Sequence, residues 1–491
     1  MIAGLDIGTT NAKFSVYSAD GVLLAQASEG YGPNRKKDRI SAETIWETVQ
    51  SVMRRVCASL EDGMTIEAMA ISAFGECIVP VDRDGNALCD SFLGSAKEGE
   101  TELQEILDRI PEAEIREITG LLPHRRFSLV KICWYRKHTR LYEQACKFLT
   151  IEGFILCRLT GSFVTSESSA CRMMAYNWKK SRWSSRLLHV TQVDITKLPE
   201  VLPSGSFVGM IRGEVLRSLG WHGETRVFTG GHDQMCNAVG AGICGYEAAL
   251  NCSGTVECVA GVIDSQIDGQ TLPLQRSWYP AVPDSCLTFW APVAGCSALD
   301  WCLRFTQGDA AAESDDLTKL HQNIQRQCSQ SPSRLLTAPY FTGCNYPDLW
   351  NGGRGTVNGL DLYTKPCELY QSIMESITFE IKVCLEKWHT RQIDYEKLVV
   401  TGGGSHSDYW LQLKANITGL TVERLKHSQS GTMGAMLIAA AGMGIYNSLA
   451  EACHACVQTE SVFVPQESIR ILYEEKYRRY QQFRDYERKR V

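Results

Sequence analysis

Three short glycine-bearing segments carry the side chains that could do chemistry. In Asp6-Ile7-Gly8-Thr9-Thr10-Asn11-Ala12-Lys13 a carboxylate ends an apolar run, and a glycine and two hydroxyls form a tight turn. Backbone N–H groups in such a turn can cup a phosphate, with Thr9 and Thr10 as further donors. Asp6 could hold Mg2+ directly or through water, and Lys13 could approach terminal phosphates. The same residues also make a plain β-hairpin. In Gly230-Gly231-His232-Asp233-Gln234 the glycines permit close approach at a strand end, and Asp233 stands at or near a helix start. A carboxylate there could cap the helix or accept the proton of an attacking hydroxyl. In Thr401-Gly402-Gly403-Gly404-Ser405 a strand-to-helix turn is stripped of side chains, so a flat ligand could lie on bare backbone. A tight crossover would need the same glycines. No Gly-Lys dipeptide occurs, so none of these is a Walker A loop. Gly240-x-Gly242-x-x-Gly245 spells a dinucleotide pattern but follows a helical stretch, and is read as chance.

The elements that would position these residues occur twice. Ile2–Asp6 is an apolar run; after the turn Ala12, Phe14 and Val16 alternate with Lys13, Ser15 and Tyr17; Ala19-Asp20-Gly21 turns into a third strand, Val22–Ala25. The pattern returns as Ala248–Cys252, the turn Ser253-Gly254-Thr255, the strand Val256–Ile263 and the turn Ile267-Asp268-Gly269. Val227–Gly231 leads into a helix near Asp233, and Leu398–Gly404 into another near Ser407. Two duplicated α/β lobes follow, residues 1–243 and 244–491, with the boundary near Gly242–Glu247. Pro366 opens a long helix whose Leu369, Ile373, Ile377, Ile381, Cys384 and Trp388 recur at helical spacing and must pack on a sheet. Phe305–Arg334 reads as an exposed helix with its connections, and the charge-rich tail Ile469–Val491 as a solvated helix.

Bulk composition narrows the class. A formal charge of −6 over 491 residues argues against a non-specific nucleic-acid binder, so an anionic ligand must be held by local donors. The amino terminus lacks the basic and apolar regions of a signal peptide, and the run Met433–Ile445 is too short to span a bilayer. The 20 cysteines are scattered among apolar neighbours, as reduced thiols of a cytoplasmic protein would be. Cys453 and Cys456 lack the second ligand pair that zinc needs.

Taken together and in order, these segments resemble the FGGY family of carbohydrate kinases, which includes xylulokinase, gluconokinase and glycerol kinase. Asp6–Thr10 looks like its first phosphate loop, Gly230–Gln234 its catalytic segment, Ser253-Gly254-Thr255 its second phosphate loop, Arg354-Gly355 with Asn358-Gly359-Leu360 a family signature, and Thr401–Ser405 its adenosine loop. The resemblance implies two ribonuclease-H-like, actin-like ATPase domains with a central cleft, the sugar mostly on the first and ATP mostly on the second. It implies that Asp233 is the general base, that Asp6 helps hold Mg2+, and that Lys13, Thr9, Thr10, Gly254 and Thr255 serve the phosphates. Gly403, Gly404 and Asp408 would contact the adenosine. Glu76, Gln234 and Glu152 are the expected sugar contacts beside Asp233. Xylulokinases resemble a Gln-Met-His-Gly pattern where this chain has Phe74-Gly75-Glu76-Cys77, and glycerol kinases look like Arg-Glu there. A lone carboxylate suits polyol hydroxyls, which leaves a ketose, deoxysugar or polyol of about four to six carbons. The expected activity is ATP-dependent phosphorylation of that acceptor, by a cytoplasmic protein that uses neither nucleic acid nor membrane; the family's frequent homodimers allow a second copy as a partner. An actin-like ATPase switch and a catalytically weak sugar-binding regulator are the rival readings, and stimulation of ADP release by a sugar separates them from a kinase.

Overall fold

The computed structural model describes residues 1–32, 38–61, 63–221, 223–267, 275–308, 317–344 and 353–489. The expected turn at Asp268-Gly269 lies outside them. In chain order the strands of the two large sheets are β1 (Ile2–Ile7), β2 (Asn11–Tyr17), β3 (Leu23–Gly30), β4 (Ala68–Ala73), β5 (Phe207–Met210), β6 (Arg226–His232), β7 (Ala248–Ser253), β8 (Val256–Asp264), β9 (Ser285–Ala294), β10 (Lys397–Thr401), β11 (Thr421–Leu425) and β12 (Thr459–Phe463). The helices that matter are α1 (Ala42–Cys57), α2 (Ile151–Thr160), α3 (Asp233–Gly240), α4 (Cys296–Gln307), α5 (Leu317–Gln325), α6 (Pro366–His389), α7 (Asp408–Thr418), α8 (Ser430–Gly442) and α9 (Glu467–Lys489).

The chain forms two compact α/β units that do not follow a single cut. Met1–Cys244, Ile263–Thr288 and Gln429–Val457 make the first; Gly245–Val262, Phe289–Ser428 and Gln458–Val491 make the second. The first sheet runs β5-β6-β4-β1-β2-β3. The second runs β12-β11-β10-β7-β8-β9, with the short strand Arg276–Trp278 beyond β9. In each sheet a hairpin (β1-β2, β7-β8) stands beside two parallel strands, and an antiparallel strand follows. Each sheet therefore has the topology of a ribonuclease-H-like, actin-like unit.

In the first unit β1 is buried along its length except at Asp6, so burial of Ile2, Leu5 and Ile7 fixes its register and leaves one carboxylate at its end. Helix α1 starts at Ser41, whose side chain accepts from Thr44 N at 3.2 Å. It buries Ile45, Trp46, Val49, Val52, Met53 and Val56 at helical spacing in the same core as Phe14 and Val16. On the other side α8 lies almost backbone to backbone on its neighbours. A Cβ at Gly4 would overlap the Thr432 carbonyl oxygen, one at Gly240 that of Ser430, and one at Gly434 that of Cys236. That closeness draws Gln429–Val457, remote in sequence, into the first unit, and explains why the small-residue run of α8 is almost wholly buried.

The second unit differs from the sequence reading at its tail. Helix α9 is not a solvated helix: Tyr473, Tyr477 and Tyr480 enter the core that holds Ile373, Met374 and Ile377 of α6. Lys476 pairs with Glu375 and Arg484 with Glu380, at 2.7 Å for the latter. Both glutamates are buried on α6, so Lys476 and Arg484 meet their partners inside rather than in water. Helix α6 is accordingly buried on nearly every side. Among the described residues no helix is long and apolar enough to cross a membrane.

Gly240→Ala is expected to destabilise the protein by about 1–3 kcal/mol, because its Cβ must displace backbone rather than a flexible side chain. A denaturation midpoint equal to the wild type's would contradict this account of α8.

Candidate active site

Strands β6, β4 and β1 run parallel and end side by side. Asp6 is level with Ser72, and Ser72 with Gly231. The chain leaving each end supplies the side chains: Asp6 from β1, Gly75-Glu76 beyond β4, and His232-Asp233-Gln234 from the junction of β6 and α3. The glycines of that junction serve packing. A Cβ at Gly230 would overlap the Ile71 backbone, and one at Gly231 would overlap Ser168 Oγ and the Met235 side chain. His232 takes the N-cap position, so Asp233 is the first helical residue; its Oδ1 accepts from Gln234 N at 2.6 Å and lies 3.2 Å from His232 Nε2.

Electrostatics separate the carboxylates. Burial pushes the Asp233 carboxyl up to about 8, and the negative charges of Asp6 and Glu76 add to the push. Burial likewise raises Asp6, against a 2.6 Å hydrogen bond from Ser72 Oγ and the field of Lys13. Glu76 goes the other way: burial would raise it, but the Arg172 guanidinium, with His232 and Arg126, outweighs that and brings it down to about 2. Burial and the neighbouring Arg172 take His232 down to about 3, so it is neutral. The Asp233 side chain is 25% exposed, and Gln234 Oε1 beside it is buried without a hydrogen-bond partner among the described residues. A proton-hungry carboxylate thus stands next to an unused acceptor, an arrangement suited to a hydroxyl-bearing ligand.

Glu152 does not face a ligand. It lies in α2 at 0% exposure. Its Oε1 accepts from Gly230 N at 3.0 Å, and its Oε2 from Ser166 N, Ser166 Oγ and Thr165 Oγ1 at 3.1, 2.6 and 3.2 Å. Buried and bonded at both oxygens, it fixes the strand that carries Asp233; Ser168 Oγ, which accepts from His232 N at 3.0 Å, does the same one step along. The phosphate-loop candidates lie as expected on a rigid turn. Gly8 N bonds Asn11 O at 2.9 Å, Tyr31 Oη donates to Gly8 O and Asn11 O, and Thr9 and Thr10 are exposed. Lys13 Nζ donates to Gln429 Oε1 at 3.0 Å.

In the second unit the Ser253-Gly254-Thr255 turn is held on the start of α4: Cys296 N donates to Gly254 O and Ser297 Oγ to Thr255 O, both at 2.7 Å. Beneath it Lys414 and Glu257, both wholly buried, pair at 2.7 Å and share bonds with Asn251 and Ser253. A cavity of about 290 Å³ is lined by residues of α4, α5, α6 and α7 together with Gly403, Gly404, His406 and Ser407. The three glycines divide their tasks. Gly402, at φ +80°, and Gly404 have no room for a Cβ against Ser253, whereas at Gly403 the nearest atom would be Cys296 Sγ at 3.7 Å. Asp408 does not join them: it is 74% exposed, pairs with Arg424 at 2.5 Å, and is absent from the lining. The expectation that it touches a ligand here is corrected; helix α7 turns its first carboxylate toward β11, where Arg424 lies. The wall carries instead a polar chain that the sequence did not single out, with His321 between Asp300 at 2.8 Å and Tyr370 at 2.7 Å.

Among the described residues there is no cluster of three or more metal-ligating side chains. Asp6 and Asp233, whose charges oppose each other, nonetheless fit an ion that takes its remaining ligands from water and phosphate, as Mg2+ does.

Known proteins place this architecture. Residues 1–240 match the N-terminal domain, and residues 249–443 the C-terminal domain, of the FGGY family of carbohydrate kinases. The xylulose kinase of Staphylococcus xylosus is 24% identical over 473 residues, 95% of this chain and 96% of that protein. Two structures from Lactobacillus acidophilus share the fold at 23% identity: a ligand-bound xylulose kinase, with a TM-score of 0.87 over 99% of this chain and 97% of that one, and a gluconate kinase, with a TM-score of 0.86 over the same shares. With both domain models matched in order, the chain belongs to the FGGY family of carbohydrate kinases.

Proposed function

We propose that this carbohydrate kinase uses Asp233 as the general base in transferring the γ-phosphoryl group of ATP to a hydroxyl of a neutral sugar or polyol of about four to six carbons. The observation that carries the assignment is geometric: the Asp233 side chain, 25% exposed at the head of α3, stands beside the unpartnered oxygen of Gln234. In this reading one acceptor hydroxyl donates to Asp233, a second donates to Gln234 Oε1, and Glu76 takes a third. As the new O–P bond forms and the bond between the γ-phosphorus and the departing ADP breaks, the acceptor proton passes to the ionised form of Asp233. Phosphoryl transfer asks mainly for positioning and charge stabilisation. The turn at Thr9-Thr10 with Lys13, and the turn at Gly254-Thr255, would supply those donors. The cavity at Gly403 and Gly404 would take the adenosine. Mg2+, held by Asp6 and through water by Asp233, would spread the phosphate charge when bound. The 20 cysteines, none paired in a disulfide, suit the reducing cytoplasm.

Asp233→Asn is expected to lower turnover at least about a hundredfold while ATP still binds. ADP release in the presence of D-xylulose, glycerol or D-gluconate measures it, and near-normal phosphorylation by the variant would refute the base. Gly403→Leu, at the one glycine with room for a side chain, is expected to raise the KM for ATP at least about tenfold, roughly 1.4 kcal/mol, and to leave the melting temperature unmoved. An unchanged KM for ATP would remove the cavity from the nucleotide site.

A further inference from the structure

Arg172 lies in the short turn of helix Cys171–Met173 in the first unit. It is 1% exposed, a charge enclosed among Cys171, Met173 and Met174, which are themselves fully buried. Its Nε donates to Glu76 Oε1 at 3.1 Å and its Nη2 meets the same oxygen. Nη2 also donates to Gln275 Oε1 at 3.0 Å, and the guanidinium carbon stands 5.3 Å from the Phe127 ring centre. The arginine is therefore gripped from three sides.

Glu76 is held as tightly. Its φ is +66°, a left-handed conformation that a non-glycine residue keeps only when its surroundings impose it. Ser128 Oγ donates to its carbonyl oxygen at 3.1 Å. The residue before it has no room for a side chain: a Cβ at Gly75 would lie 2.8 Å from His232 Cδ2 and 2.9 Å from Arg172 Cγ. Gly75 is thus the gap through which the Arg172 stem passes beside His232. The hydrogen bonds from Arg172 use only Oε1 of Glu76, and the side chain remains 20% exposed. A carboxylate anchored through one oxygen, with its side chain still partly exposed, is an acceptor fixed in direction.

We infer that Arg172 is a specificity-determining positioning residue, which clamps Glu76 between its guanidinium and a strained backbone so that Glu76 Oε2 presents one fixed anionic acceptor to a hydroxyl of an uncharged sugar or polyol. This rests on the kinase reading above. Arg172 touches no substrate; it acts through Glu76 and is itself oriented by Gln275. Loss of the clamp should weaken acceptor binding far more than it alters proton transfer at Asp233, on which the Arg172 charge is only the last of the contributing influences.

The test compares wild type, Arg172→Met, Arg172→Lys, Glu76→Gln and the Arg172→Met/Glu76→Gln pair, with D-xylulose, glycerol and D-gluconate as acceptors. For the best uncharged acceptor, Arg172→Met is expected to raise KM at least about thirtyfold with kcat within about threefold and the KM for ATP unmoved. Arg172→Lys should recover most of that loss. In the Glu76→Gln background, Arg172→Met should add no more than about threefold, because the two act as one unit. If Arg172→Met fails to fold, Gln275→Leu, which removes only the far anchor, should give the same KM-only shift at smaller size. Additive effects, a fall in kcat with KM unmoved, no shift in Gln275→Leu, or a wild type that prefers D-gluconate would each overturn the inference alone. A wild type that releases ADP with none of these and with no other neutral ketose, deoxysugar or polyol of about four to six carbons would overturn the acceptor reading of the proposed function together with it.

Discussion

Three carboxylates at the ends of adjacent parallel strands form the constraint on which the first unit depends. Asp6, Glu76 and Asp233 are brought together by the register of β1, β4 and β6, and a low-dielectric setting makes their mutual repulsion costly. The molecule resolves it by giving each a different partner. Asp6 has a hydroxyl and a nearby ammonium; Glu76 has a buried guanidinium; Asp233 has only the backbone of Gln234 and a neutral histidine. Burial raises Asp233, which stands 25% exposed beside the unpartnered Gln234 oxygen. In a reaction that must remove a proton from a hydroxyl, that is the useful group.

The surrounding architecture keeps this arrangement from relaxing. Glu152 and Ser168 tie down the strand end at Gly230 and His232. Gly431 of α8 lies so close to Asp6 that a Cβ there would stand 2.6 Å from its carboxyl carbon. In the second unit a buried Lys414–Glu257 pair plays the corresponding part beneath the Gly254-Thr255 turn. In both places a buried, fully satisfied polar group supports a turn whose own atoms are kept for something else, and a half-satisfied one would be a liability.

Much of this was legible in the sequence, and the rest was hidden for identifiable reasons. The doubled hairpins and strand-to-helix turns are local patterns, so the turns that carry Asp6, Asp233 and Gly403 could be located from residue type and spacing, while their roles came only from the family resemblance. The glycines were legible but ambiguous: Gly230, Gly231, Gly402 and Gly404 serve close packing, and only coordinates separate them from Gly403. Glu152 was misread because a carboxylate after an apolar strand looks the same whether it meets a ligand or four internal donors. The tail was misread because the partners of Lys476 and Arg484, Glu375 and Glu380, lie about a hundred residues away; the tyrosines at 473, 477 and 480 were the signal that a buried stripe was present. Arg172 and its companion Gln275 left one trace, a lone charge in an otherwise apolar stretch, and the placement of Gln429–Val457 in the first unit left none that periodicity could reveal.

The most direct test of the central claim is the titration of the Asp233 carboxyl itself, followed by its carbon-13 chemical shift in the unliganded protein with Asp233→Asn as the assignment control. The account puts the midpoint near 8, far above the ordinary 3.8. The native state then keeps a proton that the unfolded chain has released, and this group's contribution to stability falls as pH rises between those values. A midpoint in the ordinary carboxylate range would contradict it, because Asp233 would then carry no more affinity for a hydroxyl proton than any aspartate on the surface.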